Sequence, residues 1–387
     1  MAIEQPAQSV RVNLKGILLA VIVVCLALIA FSKLWGRRPA AEIPKITRGP
    51  LHPLTPPITA DKVTLVADLR ARNFNKLEAT LTSYQTMAEN SVRQEVNVHQ
   101  AFEAFGRADP ALDALLQEWV KRSPRSYAAH LAWAEFLFEE ASNARGAKWA
   151  SETSAQQFQR MGDYLAAAHK EITATLGLNP KVTEAYSLLI AEQRVGGSHE
   201  DCWKATDAGL KEIPASSVIR LQTMICLEPR WGGSYRQMDQ FAAEAQTYVH
   251  ENPRLAALKG FADYDRGEWM NDNDKYVPAI IYYTRAIAEG GDHAAFYRGR
   301  GEAFMRLNLN NDGLEDMRSA EQLWPQDRET LQWLAYGLSN IGKNQEALRE
   351  LDLAVDIAGP WPYEQQLRAN IVTTLAQSSR ETGASGN

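Results

Sequence analysis

Beyond Thr59 the chain carries apolar residues at three- and four-residue spacing almost throughout, with little of the β-branched alternation that marks strands. The pattern predicts helices and no parallel-sheet domain. The helices fall into pairs: Tyr127 to Ala141 with Phe158 to Leu176, Ala185 to Gln193 with Glu200 to Lys211 around Gly196-Gly197, and Ser217 to Leu227 with Tyr235 to Val249. Leu255 to Arg266 precedes Tyr276 to Glu289, and the polar EWMNDND between them is expected to lengthen that turn by about seven residues. The stretch 61–124, with its Leu65/Leu69/Leu77/Leu81 series, fits helical hairpins of a more divergent kind.

The pairs recur at a fixed interval. Pro180 and Pro214 lie 34 residues apart, as do Pro325 and Gly359, and each closes a helical run. Within Ala294 to Asp327 the series Tyr297, Gly301, Phe304, Gly313, Met317, Ala320, Pro325 stands in one order, and the next unit repeats it as Leu331, Ala335, Leu338, Ala347, Leu351, Ala354, Gly359. Two consecutive units in register resemble the tetratricopeptide repeat (TPR). That resemblance implies an all-α, TPR-like helical-hairpin solenoid, with small residues where paired helices approach most closely. The segment PRWGGS, Pro229 to Ser234, together with the divergent opening, resembles a bacterial family of TPR-like proteins of unknown function over roughly 61–253. There the glycines are expected to make a tight turn and Trp231 to cap the adjoining core.

Ahead of the repeats, Gly16 to Ser32 reads GILLAVIVVCLALIAFS, without a charge and without a polar face. Such a run is long enough to span a bilayer core of roughly 30 Å, and KLWGRRP after it lacks a small-x-small cleavage site, which favours an uncleaved anchor over a signal peptide. The expected organisation is a tail at 1–15, a single transmembrane helix at 16–36, a proline-rich stalk at 37–60, divergent TPR-like hairpins at 61–253, TPR units at 254–361, and a helix end with a disordered tail at 362–387. Five Lys/Arg follow the span closely and two precede it, so the positive-inside bias leans toward a cytoplasmic body, while the short tail argues for the opposite face.

Charge and chemistry narrow the function. The formal net charge is -6, and beyond residue 60 there are 34 basic against 45 acidic residues, which disfavours nucleic acid as a partner. Cys25 lies in the apolar run, and Cys202 and Cys226 alone make no disulfide framework. Gly299-Arg300-Gly301 has Phe304 in the place of a third glycine, and Asn308, Asn310, Asp312, Gly313 lack the closing carboxylate of a calcium loop. His199-Glu200-Asp201-Cys202 has no second histidine pair for zinc. No cofactor, metal or catalytic residue is expected. By the TPR resemblance, Arg298, Glu302, Arg306 in one unit and Gln332, Tyr336, Asn340 in the next line a concave groove, each trio sharing a helical face at i, i+4, i+8. The expected role is therefore a membrane-anchored scaffold or adaptor for a protein or peptide partner. The alternatives are a hydrolase-like enzyme using scattered carboxylates such as Asp263, Asp265, Glu268, Asp272 and Asp274, and a self-associating structural protein.

Overall fold

The computed structural model describes residues 43, 45–52, 56–107, 109–146, 150–359 and 361–384. The chain divides into two compact units at Lys45, and every described helix belongs to the second. The expected anchor at 16–36 lies outside the described residues, and among the described residues no helix is long and apolar enough to cross a membrane.

Seventeen α-helices and no strand are present among the described residues: α1 (Lys62–Arg70), α2 (Phe74–Asn90), α3 (Glu95–Glu103), α4 (Ala111–Arg122), α5 (Tyr127–Arg145), α6 (Ala155–Leu178), α7 (Thr183–Gly196), α8 (His199–Glu212), α9 (Ser217–Cys226), α10 (Tyr235–Ala245), α11 (Phe261–Asp272), α12 (Tyr276–Gly290), α13 (Ala294–Arg306), α14 (Asn310–Leu323), α15 (Arg328–Asn340), α16 (Asn344–Ala358) and α17 (Pro362–Ala384). From α5 onward each helix packs on the one before it, and the buried apolar residues form four successive clusters centred on 60–188, 186–226, 224–296 and 305–371. This is the quasi-one-dimensional core of a TPR-like solenoid.

One turn is used four times. Arg72, Asp274, Asn308 and Gly342 each sit in the left-handed region (φ 57°, 57°, 61° and 80°) at the centre of a three-residue connection. In each, the following N–H reaches back five residues to a carbonyl, as in Leu309 N–H to Phe304 O (2.9 Å) and Asn73 N–H to Asp68 O (2.9 Å). The 6→1 bond satisfies a carbonyl at the helix end and reverses the chain. The divergent α1–α2 pair therefore shares its turn with the C-terminal units. Helix spacing within a unit is set by small residues: a Cβ on Gly301 would lie 3.0 Å from the Gly313 carbonyl oxygen, and one on Gly313 2.5 Å from Met305 Cγ.

Two local expectations differ from the structure. The segment EWMNDND does not lengthen a turn, since α11 continues through Asp272 and the connection to α12 is only Asn273 to Lys275. Trp231 does not cap a core: it is 38% exposed, with the Arg194 guanidinium 4.9 Å from its ring centre. The glycines do make the tight turn, Gly232 at φ 93° and Gly233 so close that a Cβ would lie 2.1 Å from the Leu227 carbonyl oxygen.

The solenoid is held together by α2, α3 and the turn between them, whose polar side chains bond to the connections and helix ends of successive hairpins. Gln85 donates to Lys181 O, Arg93 to His250 O and Glu251 O, Gln100 to Pro325 O, and Arg107, just past α3, to Asp356 O and Ile357 O. Glu95 receives Ser216 Oγ, Ser217 N–H, Ser217 Oγ and Asn252 Nδ2. A single short helix thus touches connections spread over more than a hundred residues, in the manner of a spindle. The described part of the proline-rich segment also lies against the body. Arg48 pairs with Asp312, Glu315 and Asp316, His52 N–H donates to Asp292, and Thr59 N–H donates to Asn97.

Candidate functional site

The six residues expected in the groove divide between three places. Arg306, Gln332 and Tyr336 come together with Trp333 and Tyr363 around a recess of about 260 Å3. The Arg306 guanidinium lies 5.0 Å from the Trp333 ring centre, Tyr336 meets Trp333 edge-on at 5.4 Å, and Tyr363 is half exposed. Glu302 borders it through its ion pair with Arg306 (3.3 Å), and Gln332 is oriented by Glu364 of α17. Asn340 stands apart, bonded to Asn310 at the hairpin edge (3.2 Å). Arg298 faces the spindle, paired with Asp327 (2.9 Å) and Glu329 (3.1 Å). Sequence reasoning missed Trp333 and Tyr363. Trp333 follows Gln332 on α15, where an aromatic next to a groove position was the available signal, whereas Tyr363 enters from a helix outside the repeat pattern.

Between the spindle and the surrounding connections lies a larger cavity of about 600 Å3. Its walls include Val218, Leu221, Leu258, Phe261 and Trp324, with Pro57 and Ile58 of the proline-rich segment along one side. Leu323 and Trp324 are partly buried here, whereas Leu334, Tyr297 and Phe304 are buried between helices.

A charged cluster joins this cavity to the junction of α1, α3, α5 and α7. His99 bonds through Nδ1 to Glu184, and its Nε2 lies 3.4 Å from Glu103, which also takes Lys62 Nζ at 2.9 Å. Burial alone would lower the His99 pKa, but the Glu184 and Glu103 carboxylates outweigh it and hold the ring up at about 9. Glu103 is held low by Lys62 and His99 against the effect of burial. Glu135, buried beside Glu184, is pushed well above the carboxylate range by desolvation and by that neighbour. Because the His99 pKa is raised on folding, the stability it contributes is complete below the unfolded value near 6.5 and is lost as pH rises through about 9. Denaturation midpoints are accordingly expected to fall between pH 7 and 10, and His99→Gln, which keeps a polar side chain without the charge, to flatten that fall.

The carboxylates weighed for hydrolysis do not converge. Asp263 pairs with Arg266 and Arg285, Asp265 with Arg230, and Glu268 accepts from Tyr283 Oη, so each is taken up by its own partners. Among the described residues no group of three or more His, Cys, Asp or Glu is placed to hold a metal ion. Cys202 and Cys226 are joined in a disulfide linking α8 to the end of α9, a pairing their spacing did not announce.

These hairpins and their shared turns define a TPR-like helical-repeat protein. Residues 64–192 match the family described as a domain of unknown function (DUF4034), a match that ends before the PRWGGS segment. No curated protein sequence matches the chain. Among solved structures it is similar to the second TPR domain of the human RPAP3 protein in complex with an HSP70 peptide (21% identity, 29% of this chain and 93% of that one, TM-score 0.28). It is also similar to YrrB, a TPR protein with an unusual peptide-binding site (14%, 51% and 97%, TM-score 0.29), and to PilW, a type IV pilus biogenesis factor (14%, 53% and 91%, TM-score 0.31).

Proposed function

We propose that this chain is a scaffold that binds an extended peptide or protein segment, tethered to a membrane by residues 16–36. The observation that carries the reading is that the body already holds an extended piece of its own chain through side-chain bonds to backbone. Arg254 Nη2 donates to Pro56 O (3.1 Å), Asn97 Nδ2 to Pro57 O (3.4 Å), Tyr84 Oη to Thr59 O (3.4 Å), and Asn97 Oδ1 accepts the Thr59 N–H (2.7 Å). Backbone capture of this kind gives affinity without demanding one sequence. The recess of Trp333, Tyr336 and Tyr363 supplies what a partner's side chain would fill, because buried aromatic anchors carry most of the energy of such interfaces. The paired carboxylates of α11 lend no support to a hydrolase.

The test is a peptide-library screen on the full chain in lipid nanodiscs, followed by titration of the selected peptide. Trp333→Ala and Tyr336→Ala are each expected to weaken it by about 10- to 100-fold, roughly 1.4–2.8 kcal/mol, with helix content retained by circular dichroism at the titration temperature. Selected peptides indifferent to both substitutions would remove this recess from the reading.

The disulfide supports a body that folds in an oxidising compartment, opposite to the face toward which the Lys/Arg bias leans.

A further inference from the structure

The central cavity is separate from the aromatic recess, and nothing so far gives it a role. At about 600 Å3 it falls within the roughly 300–1,000 Å3 of small-molecule sites, and its walls are largely aliphatic and aromatic. We propose that it binds a neutral, mainly apolar small molecule carrying a hydroxyl or carbonyl oxygen.

Charge matching decides the class. His99 and Glu103 are paired with Glu184 and Lys62, and Arg298 holds Asp327 and Glu329. Asp292 receives the His52 N–H and Tyr297 Oη, each at 2.6 Å. The Arg254 guanidinium is engaged with Pro56 O. An ionic ligand would bring an unmatched charge beside these pairs, whereas a neutral one leaves every pair intact.

Four polar side chains of the lining keep a polar group without a bond among the described residues, Ser187, Gln222, His293 and Gln322, and two of them on different helices, His293 and Gln222, serve to test an oxygen subsite. His293, at the start of α13, accepts the Ala295 N–H on Nδ1 (3.3 Å), which leaves the proton of the neutral ring on Nε2. Burial, with Arg254 and Arg298 nearby, holds its pKa down to about 3, so the ring stays neutral. Phe261 and Phe296 flank it, each 5.0 Å between ring centres, and fix its plane. Nε2–H has no partner among the described residues, and the same is true of the Gln222 amide on α9, which also lines the cavity. One fixed N–H and one amide set against an apolar wall suit a hydroxyl or carbonyl at the end of an apolar body.

The experiment is equilibrium dialysis of the full chain in lipid nanodiscs, with empty nanodiscs as reference, using 2-naphthol, 2-naphthoate and 2-naphthylmethylammonium. These probes share a ring system and differ in charge. 2-Naphthol is expected to be retained at one equivalent per chain, with the two ions at least about tenfold weaker. His293→Phe and Gln222→Leu, on different helices, are each expected to weaken 2-naphthol by about tenfold, the worth of one hydrogen bond. A thermal melt of each variant separates loss of the site from loss of the fold. No retention above empty nanodiscs, equal or tighter binding of either ion, or neutral binding that survives both substitutions in folded protein would overturn the proposal. The peptide titration above is unaffected by any of these outcomes, so the two readings fail separately.

Discussion

Replacing Glu95 by alanine is expected to cost about 3–5 kcal/mol, enough to bring a marginally stable domain close to unfolding. Glu95 is fully buried, and four donors converge on its two oxygens: Ser217 N–H (2.6 Å), Ser217 Oγ (2.7 Å) and Asn252 Nδ2 (2.8 Å) on Oε1, and Ser216 Oγ (2.5 Å) on Oε2. The hydroxyls can rotate to other acceptors, but the Ser217 N–H and Asn252 amide cannot, and each buried donor left unmade costs about 1–3 kcal/mol. Burial pushes the Glu95 carboxyl up, which is the effect expected of a site that favours the neutral form. Glu95→Gln should therefore be mild: its carbonyl keeps the Oε1 contacts and its amide can donate to Ser216 Oγ. Urea denaturation separates the two variants, and hydrogen exchange at 214–217 and 250–254 should rise in Glu95→Ala before exchange elsewhere. Equal losses for both variants would mean that the spindle contributes volume and not bonds.

The spindle also shows where the sequence stopped being readable. The 34-residue period exposes the units from Ala294 to Ala358 because each must bury the same face against its neighbour, so the same residue sizes return at the same places. The α1–α2 pair carries the same turn, but its central residue is Arg72, and arginine in the left-handed region has no sequence signature, unlike Gly342 or Asn308. Glu95, Asn97, His99 and Gln100 are polar residues of a short helix, a type of residue more often exposed than buried. They are buried or mostly buried because their partners lie dozens to more than two hundred residues away along the chain, before Asn97 and after the other three, and local periodicity holds no record of such pairs. On α11 the polar run EWMNDND concealed the end of a helix, where Glu268 is matched by Tyr283 of α12 and, in the turn that follows, Asp274 by Tyr276. For the groove, the i, i+4, i+8 rule places residues on one helical face and says nothing of what covers each of them. Arg298 lies on the same face as Arg306, yet the spindle covers one end of α13 and leaves the other open to the recess.

Loss of the Cys202–Cys226 bridge is expected to lower stability by about 3 kcal/mol, the value the loop-entropy account gives for a closed loop of this size. The two cysteines are 24 residues apart, both sulfurs are buried, and the bridge fastens α8 to the end of α9 within the cluster formed by Tyr186, Ile190, Ala205 and Ile219. Cys202→Ala/Cys226→Ala should show the loss in urea without a change in helix content, since the apolar cluster remains. On the proposed reading an oxidising compartment is expected, because a bridge on which the body depends forms and persists where thiols are oxidised. The full chain isolated from cells and alkylated without reductant should accept label only at Cys25, and at all three cysteines after unfolding and reduction. A topology reporter fused after Asn387 should then be active on the side away from the cytoplasm. Label on Cys202 and Cys226 in the unreduced, unfolded chain, with the reporter active in the cytoplasm, would return the body to the face suggested by the five basic residues that follow the apolar run.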